Sequence, residues 1–240
     1  MTAAAHPLRF GSRIVVKICG LRDAPGLEAA VAAGADMLGF VFFAASPRAI
    51  APAEAAALAA RAPAGRALRV GLFVDAAEEA IAATLARCPL DALQLHGAEP
   101  PARVAALRAR FGLPIIKALG IGRAEDLAAA QAYAGAADAL LLDARPPTGA
   151  DRPGGHARSF DWRLLADWRS PLPWLLAGGL SPGNVAAAIR LTGAPGVDVS
   201  SGVEAAPGVK DPARIAAFVA AARAASAAGG AGVAAGGGLR

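Results

Sequence analysis

Apolar residues along the 240-residue chain fall into short runs that are hydrophobic at nearly every position rather than at alternate ones. Eight stand out: "RIVVKIC", "DMLGFVF", "LRVGLFV", "DALQLH", "PIIKAL", "DALLLD", "PWLLAG" and "GVDVSS". Longer Ala-rich stretches separate them, and the runs start roughly every 22 to 23 residues, stretched where a loop is long, which is the span of a parallel strand with its crossover helix. A run that is apolar throughout fits a strand covered on both faces, as parallel sheets require. Eight such units predict an α/β fold, a single closed (β/α)8 TIM barrel with a parallel eight-stranded sheet. An open doubly wound sheet is the fallback, but no Gly-x-Gly-x-x-Gly follows the first run to support it.

Helix punctuation keeps the same register. Asp23 can cap a helix that continues to Gly34, Ser181-Pro182 offers an N-cap with proline at N1, and Asp211-Pro212 repeats the device. Residues 1–12 are expected as an N-terminal extension, 13–225 as the barrel, and the Ala/Gly-rich 226–240 as a disordered tail.

Composition narrows the function classes. The formal charge is +5, yet the arginines are scattered and stacking aromatics are few, so nucleic acid is not an expected partner. The charge is read instead as a mild bias toward small anions, or as no more than an Arg- and Ala-rich composition. No run reaches the roughly 20 apolar residues of a membrane span, and "MTAAAHPLRFGSR" lacks the apolar core of a signal peptide. A cytoplasmic location follows as the expectation, and it argues against a disulfide between Cys19 and Cys88. Three lysines occur, Lys17, Lys117 and Lys210, and a lysine inside an apolar strand asks for a partner.

In a barrel of this kind, chemistry gathers where strands end and lead into the next helix. Those positions are polar here: Cys19, Arg48 in "AASPR", Asp75, His96, Asp143, then "GGLS" and "SSGVE". Alternation puts Val15, Lys17 and Cys19 on one face and Val16 and Ile18 on the other, so Cys19 is expected at the mouth with Lys17 beneath it. Asp198 on the eighth strand is the candidate partner of Lys17. A nearby ammonium favours the thiolate of Cys19 and burial opposes it, a balance left open at this point. Gly178 and Gly179 after the seventh strand, and the Asp198, Ser200, Ser201, Gly202 segment of the eighth, are candidate phosphate loops, because small residues let backbone N–H groups approach an anion. Ordinary tight turns would use the same glycines. Gly155, in the long loop between Arg145 and Ser159, is a further candidate for contacting a ligand. His96 is read two ways, as a ligand contact or as a packed imidazole, with no catalytic role assigned.

Taken in order, "VKICGLRD", "GFVFFAASPR", "VGLFVD", "LQLHG", "LLLDA", "GGHARSFDW", "LAGGLSPGNV" and "GVDVSSGVEAAPGVKD" resemble phosphoribosylanthranilate isomerase over roughly Ile14 to Phe218. The resemblance implies a barrel of the ribulose-phosphate-binding type and an Amadori rearrangement in tryptophan biosynthesis. N-(5-phosphoribosyl)anthranilate would become 1-(2-carboxyphenylamino)-1-deoxyribulose 5-phosphate, with no metal or organic cofactor. It implies a small-molecule substrate, a monomer or homodimer, Cys19 as general base and Asp143 as general acid. Arg48 would bind the anthranilate carboxylate through two parallel hydrogen bonds. The acid role asks Asp143 to hold a proton when substrate binds, which burial would favour. The chain departs from the family pattern at Gly154-Gly155-His156-Ala157, where alanine stands for a frequent glycine. Indole-glycerol-phosphate synthase is the rival in the same pathway, but strands two and three lack the mouth lysine expected of it. An inactive sugar-phosphate-binding barrel is the reading from outside catalysis, and the presence of both Cys19 and Asp143 opposes it.

Overall fold

The computed structural model of the chain describes residue 8, residues 10–145 and residues 159–230, with only the backbone given for 226–230. Eight parallel strands close into a barrel in chain order: β1 (Val15–Cys19), β2 (Met37–Val41), β3 (Leu68–Phe73), β4 (Ala92–Leu95), β5 (Ile115–Ile121), β6 (Ala139–Ala144), β7 (Trp174–Leu176) and β8 (Gly196–Val199). Each falls on one of the eight apolar runs. Pairing of β1 with β8, with Lys17 opposite Asp198, seals the ring.

Helices α1 (Ala24–Ala33), α2 (Pro52–Ala59), α3 (Glu78–Leu85), α4 (Pro101–Phe111), α5 (Val185–Thr192) and α6 (Pro212–Gly230) wrap the outside. After β5 and β6 the described segments are 3-10 helices, Ala124–Tyr133 and Trp162–Leu165. The Asp23 carboxylate accepts from Gly26 N at the start of α1, and Gly34 ends it in the left-handed region. Asp211 accepts likewise from Ala213 N and Arg214 N at the start of α6.

Two expectations of local structure differ. Ser181-Pro182 does not cap a helix: the chain turns once more, and α5 begins at Val185 with Asn184 as its N-cap residue. The Asn184 amide reaches back, its oxygen accepting from Ser181 N and its nitrogen donating to Gly179 O, so the side chain fastens the turn that follows β7. At the other end, α6 runs to Gly230, five residues past the expected domain boundary at 225. The rest of the expected tail, 231–240, lies outside the described residues, as do residues 1–7 of the expected N-terminal extension.

Alternation divides the core into two. Val15, Met37, Val70, Ala92, Ile116, Ala118, Ala139, Leu141 and Leu175 fill the barrel interior. Val16, Ile18, Leu38, Phe40, Leu93, Ile115, Leu140 and Val197 face the helices and join Leu27, Ile81, Val104 and Phe218 in the larger outer cluster. Cys19, Val41 and Leu72 form a third, smaller group in which β1, β2 and β3 end. A short antiparallel pair, β9 (Glu204–Ala206) and β10 (Val209–Lys210), follows β8 and brings Glu204 and Lys210 beside it.

Candidate active site

Lys17, wholly buried in β1, donates from Nζ to Asp198 Oδ1 at 2.8 Å. Burial alone would strip its proton, but the Asp198 carboxylate and the Cys19 sulfur outweigh burial, and its proton is held more tightly than usual. Asp198, the expected partner of Lys17 and a member of the β8 segment, commits its carboxylate to that lysine beneath the mouth.

Cys19 closes β1 and is buried. Gly39 stands opposite it in β2, and a Cβ there would meet Cys19 Sγ at 2.9 Å and Lys17 Nζ at 3.1 Å. The glycine makes the room the thiol and ammonium occupy. Burial pushes the Cys19 thiol up, Asp198 adds to it, and Lys17 and Lys210 pull it down without prevailing. Burial therefore decides the balance that the sequence left open, and the resting group is the thiol. Cys88 is also a free buried cysteine, so the pair forms no disulfide.

Asp143 ends β6, its Oδ1 accepting from Ala144 N at 2.8 Å and its Oδ2 lying 3.4 Å from His96 Nε2 at the end of β4. His96 thus meets a strand-end carboxylate, and its Nδ1 lies 2.9 Å from Gln94 Nε2. Gly178, at φ 81°, packs against the same corner: a Cβ there would meet Ala144 N at 2.7 Å and Asp143 Oδ1 at 3.2 Å.

The loops after β7 and β8 lie in contact, since a Cβ on Gly202 would fall 1.8 Å from Leu180 O. Gly178 and Gly179 both have positive φ. Ser201 begins a single 3-10 turn, Ser201–Val203. The Ser200 hydroxyl donates to Cys19 O at 2.9 Å and accepts from Lys210 Nζ at 3.2 Å, which ties the β8 loop to the end of β1. Gly155 and Ala157 lie outside the described residues.

Arg48 is buried and its two parallel hydrogen bonds are already made. Nε and Nη2 each donate at 2.8 Å to Glu204, whose Oε1 also accepts from Lys210 Nζ at 2.8 Å. The two parallel hydrogen bonds expected to go to a substrate carboxylate therefore go to a protein one. Arg48 and Lys210 hold the Glu204 carboxyl below the usual range against the opposing effect of burial. Two cations on one carboxylate leave a local excess of one positive charge beside Cys19.

Sequence reasoning missed Glu204, Lys210, Gln94 and Glu99. Glu99 neutralises Lys117, which sits on the outer face of β5 and donates to Glu99 Oε2 and Gly97 O, each at 2.7 Å. That explains the second strand lysine without chemistry. Among the described residues no group of His, Cys, Asp and Glu gathers as metal ligands would, and no described helix is long and apolar enough to cross a membrane.

The model of the N-(5'-phosphoribosyl)anthranilate (PRA) isomerase family matches residues 16–221. The chain belongs to this family. The N-(5'-phosphoribosyl)anthranilate isomerase of Rhodospirillum rubrum is 58% identical over 215 residues, covering 88% of this chain and 99% of that one. The crystal structure of the phosphoribosyl anthranilate isomerase of Thermotoga maritima superposes with a TM-score of 0.79 at 36% identity, covering 88% and 99%. A crystal structure of phosphoribosyl anthranilate isomerase in complex with reduced 1-(o-carboxyphenylamino)-1-deoxyribulose 5-phosphate gives 0.76 at 35% identity with the same coverage. Membership sets aside the indole-glycerol-phosphate synthase reading and makes the chain an isomerase of tryptophan biosynthesis.

Proposed function

We propose that this isomerase converts N-(5-phosphoribosyl)anthranilate to 1-(2-carboxyphenylamino)-1-deoxyribulose 5-phosphate, with Asp143 as general acid and Cys19 as general base. Asp143 gives its proton to the furanose ring oxygen, the C1′–O bond breaks toward that oxygen, and the nitrogen lone pair forms a Schiff base. Cys19, as thiolate, removes the proton from C2′, and the electrons left behind make an enolamine. Protonation of the enolamine at C1′ and loss of the proton from the C2′ hydroxyl deliver the C2′ ketone, so the overall change is an isomerisation with no external oxidant or reductant.

The observation that carries this reading is the pairing of environments at two strand ends of one mouth. Cys19 sits above the Lys17 ammonium, which draws the thiol down against the larger, raising effect of burial, and Asp143 sits between the Ala144 N–H and His96. The Arg48 edge facing away from Glu204 takes the anthranilate carboxylate, and the excess positive charge it shares with Lys210 favours an anion there. The 5-phosphate binds the backbone at Gly178, Gly179, Ser201 and Gly202, where loops after the seventh and eighth strands of such barrels hold phosphate. The same reading places the protein in the cytoplasm, where both buried thiols stay reduced.

The test is to generate phosphoribosylanthranilate in situ and follow its loss with wild type, Cys19→Ala and Asp143→Ala. Turnover by wild type and kcat losses of roughly 10²-fold or more in each folded variant are expected, the scale of a lost acid or base. Absence of wild-type turnover sinks the reaction. An active Cys19→Ala enzyme keeps the reaction and overturns the base assignment.

A further inference from the structure

The barrel interior holds an amide that the reaction scheme leaves unused. Gln94 lies in β4 two residues before His96, so alternation puts both on the inward face, and its side chain is 0% exposed. Its Nε2 lies 2.9 Å from His96 Nδ1, while its Oε1 is buried with no hydrogen-bond partner. An orphaned buried acceptor is destabilising, and an apolar side chain of the same size would avoid that cost. What the amide does for His96 is the reason to look at it.

An amide nitrogen can only donate, so Nδ1 of the ring must accept. A neutral imidazole that accepts at Nδ1 carries its proton at Nε2, and Nε2 is the atom 3.4 Å from Asp143 Oδ2. With Ala144 N on Oδ1, each oxygen of Asp143 then faces an N–H. We propose that Gln94 is a positioning residue that holds His96 as the Nε2–H tautomer, so that the ring presents a donor to the carboxylate left when Asp143 gives up its proton. The proposal rests on the reading of Asp143 as the acid. The ring acts only as a hydrogen-bond donor and keeps its Nε2 proton. Its contact, long at rest, shortens as negative charge develops on Asp143, which is where a fixed donor helps a proton transfer. The other tautomer would turn a lone pair toward that charge.

The experiment uses the full-length enzyme labelled with 15N at histidine, with His96→Asn to identify the resonance, at about pH 8 where ordinary imidazole is neutral. Wild type should show the Nε2–H form. Gln94→Glu puts an acceptor at Nδ1 and should move the ring to the Nδ1–H form or the imidazolium. Gln94→Met, similar in size and without hydrogen bonds, should lose about tenfold in kcat, part of the roughly 10²–10⁴ a general acid supplies, with KM within about twofold. Its Tm should be unchanged or higher, whereas a merely structural glutamine would lower Tm and spare kcat. An Nδ1–H ring in wild type overturns the proposal, as does a Gln94→Met enzyme with wild-type kcat. Failure of the isomerase reading itself would show separately, as wild type without turnover, and the ring's tautomer would still decide the pairing with Gln94.

Discussion

Lys17 and Asp198 stand opposite one another in the ladder that closes the barrel and join through a 2.8 Å hydrogen bond from Nζ to Oδ1. The pair is both the seal of the ring and the floor beneath Cys19. Removing one member strands the other, and Asp198→Asn should cost about 3–5 kcal/mol by urea unfolding at neutral pH. Lys17 holds its proton more tightly folded than unfolded, so its contribution is full below its ordinary value of 10.5 and disappears only at still higher pH. In Asp198→Asn the unpaired lysine must bind its proton more weakly than in the unfolded chain, so that variant gains stability as pH rises toward 10.5. The gap between the two proteins should narrow between about pH 7 and pH 10. A constant gap would mean that Lys17 finds another anion.

Cys19 should behave as a buried thiol and not as an activated one. Burial raises it above its ordinary 9.0, so alkylation of the free enzyme by iodoacetamide should be slow near neutrality and keep accelerating beyond pH 9. A plateau near neutrality would show that Lys17 and Lys210 outweigh burial in solution.

The parts of this arrangement that the sequence made legible share one property, local periodicity. Val15, Lys17 and Cys19 could be placed on one face because strand alternation needs no tertiary knowledge, and strand ends named Asp143 and His96 for the same reason. Glu204 was hidden because it meets Arg48 from 156 residues away, and nothing in "SSGVE" says whether a glutamate points to solvent or into the mouth. Gln94 sat in view in "LQLHG" and was passed over, since an amide in an apolar run carries no signal until its oxygen is seen to lack a partner. Ser181-Pro182 failed as a cap because Asn184, three residues on, competes for the same backbone and wins by bonding both Ser181 N and Gly179 O.

The Arg48–Glu204 fork predicts that a change in a residue that touches no substrate will read out in KM. Glu204→Gln loses the charge that aims the guanidinium, and KM should rise about tenfold with a smaller change in kcat. Arg48→Lys should do at least as much, because an ammonium cannot serve Glu204 and a ligand carboxylate from two parallel edges. Glu204 is held below its ordinary 4.5, so its stabilisation is complete above that value and is lost as pH falls through the lower, folded one. The stability difference between wild type and Glu204→Gln should therefore hold from about pH 7 down to about pH 4.5 and shrink below that. Equal KM values for wild type and Glu204→Gln would remove Glu204 from the aiming of Arg48.

Gly39 tests how closely the floor of the site is fitted. Its φ is not in the left-handed region, so alanine meets no backbone strain, and the whole effect comes from contact. The added methyl would lie 2.9 Å from Cys19 Sγ, 3.0 Å from Cys19 Cα and 3.1 Å from Lys17 Nζ. The sulfur can swing away, but the Cα belongs to a strand paired in register on both sides, and Lys17 is fixed by Asp198. Overpacking of this kind costs about 1–3 kcal/mol, so Gly39→Ala should fold with a measurably lower Tm. The larger effect should fall on kcat, by about 10²-fold, because a displacement of the base by an ångström is enough to spoil its approach to C2′. Full activity in Gly39→Ala would show that Cys19 has more freedom at the mouth than its contacts allow.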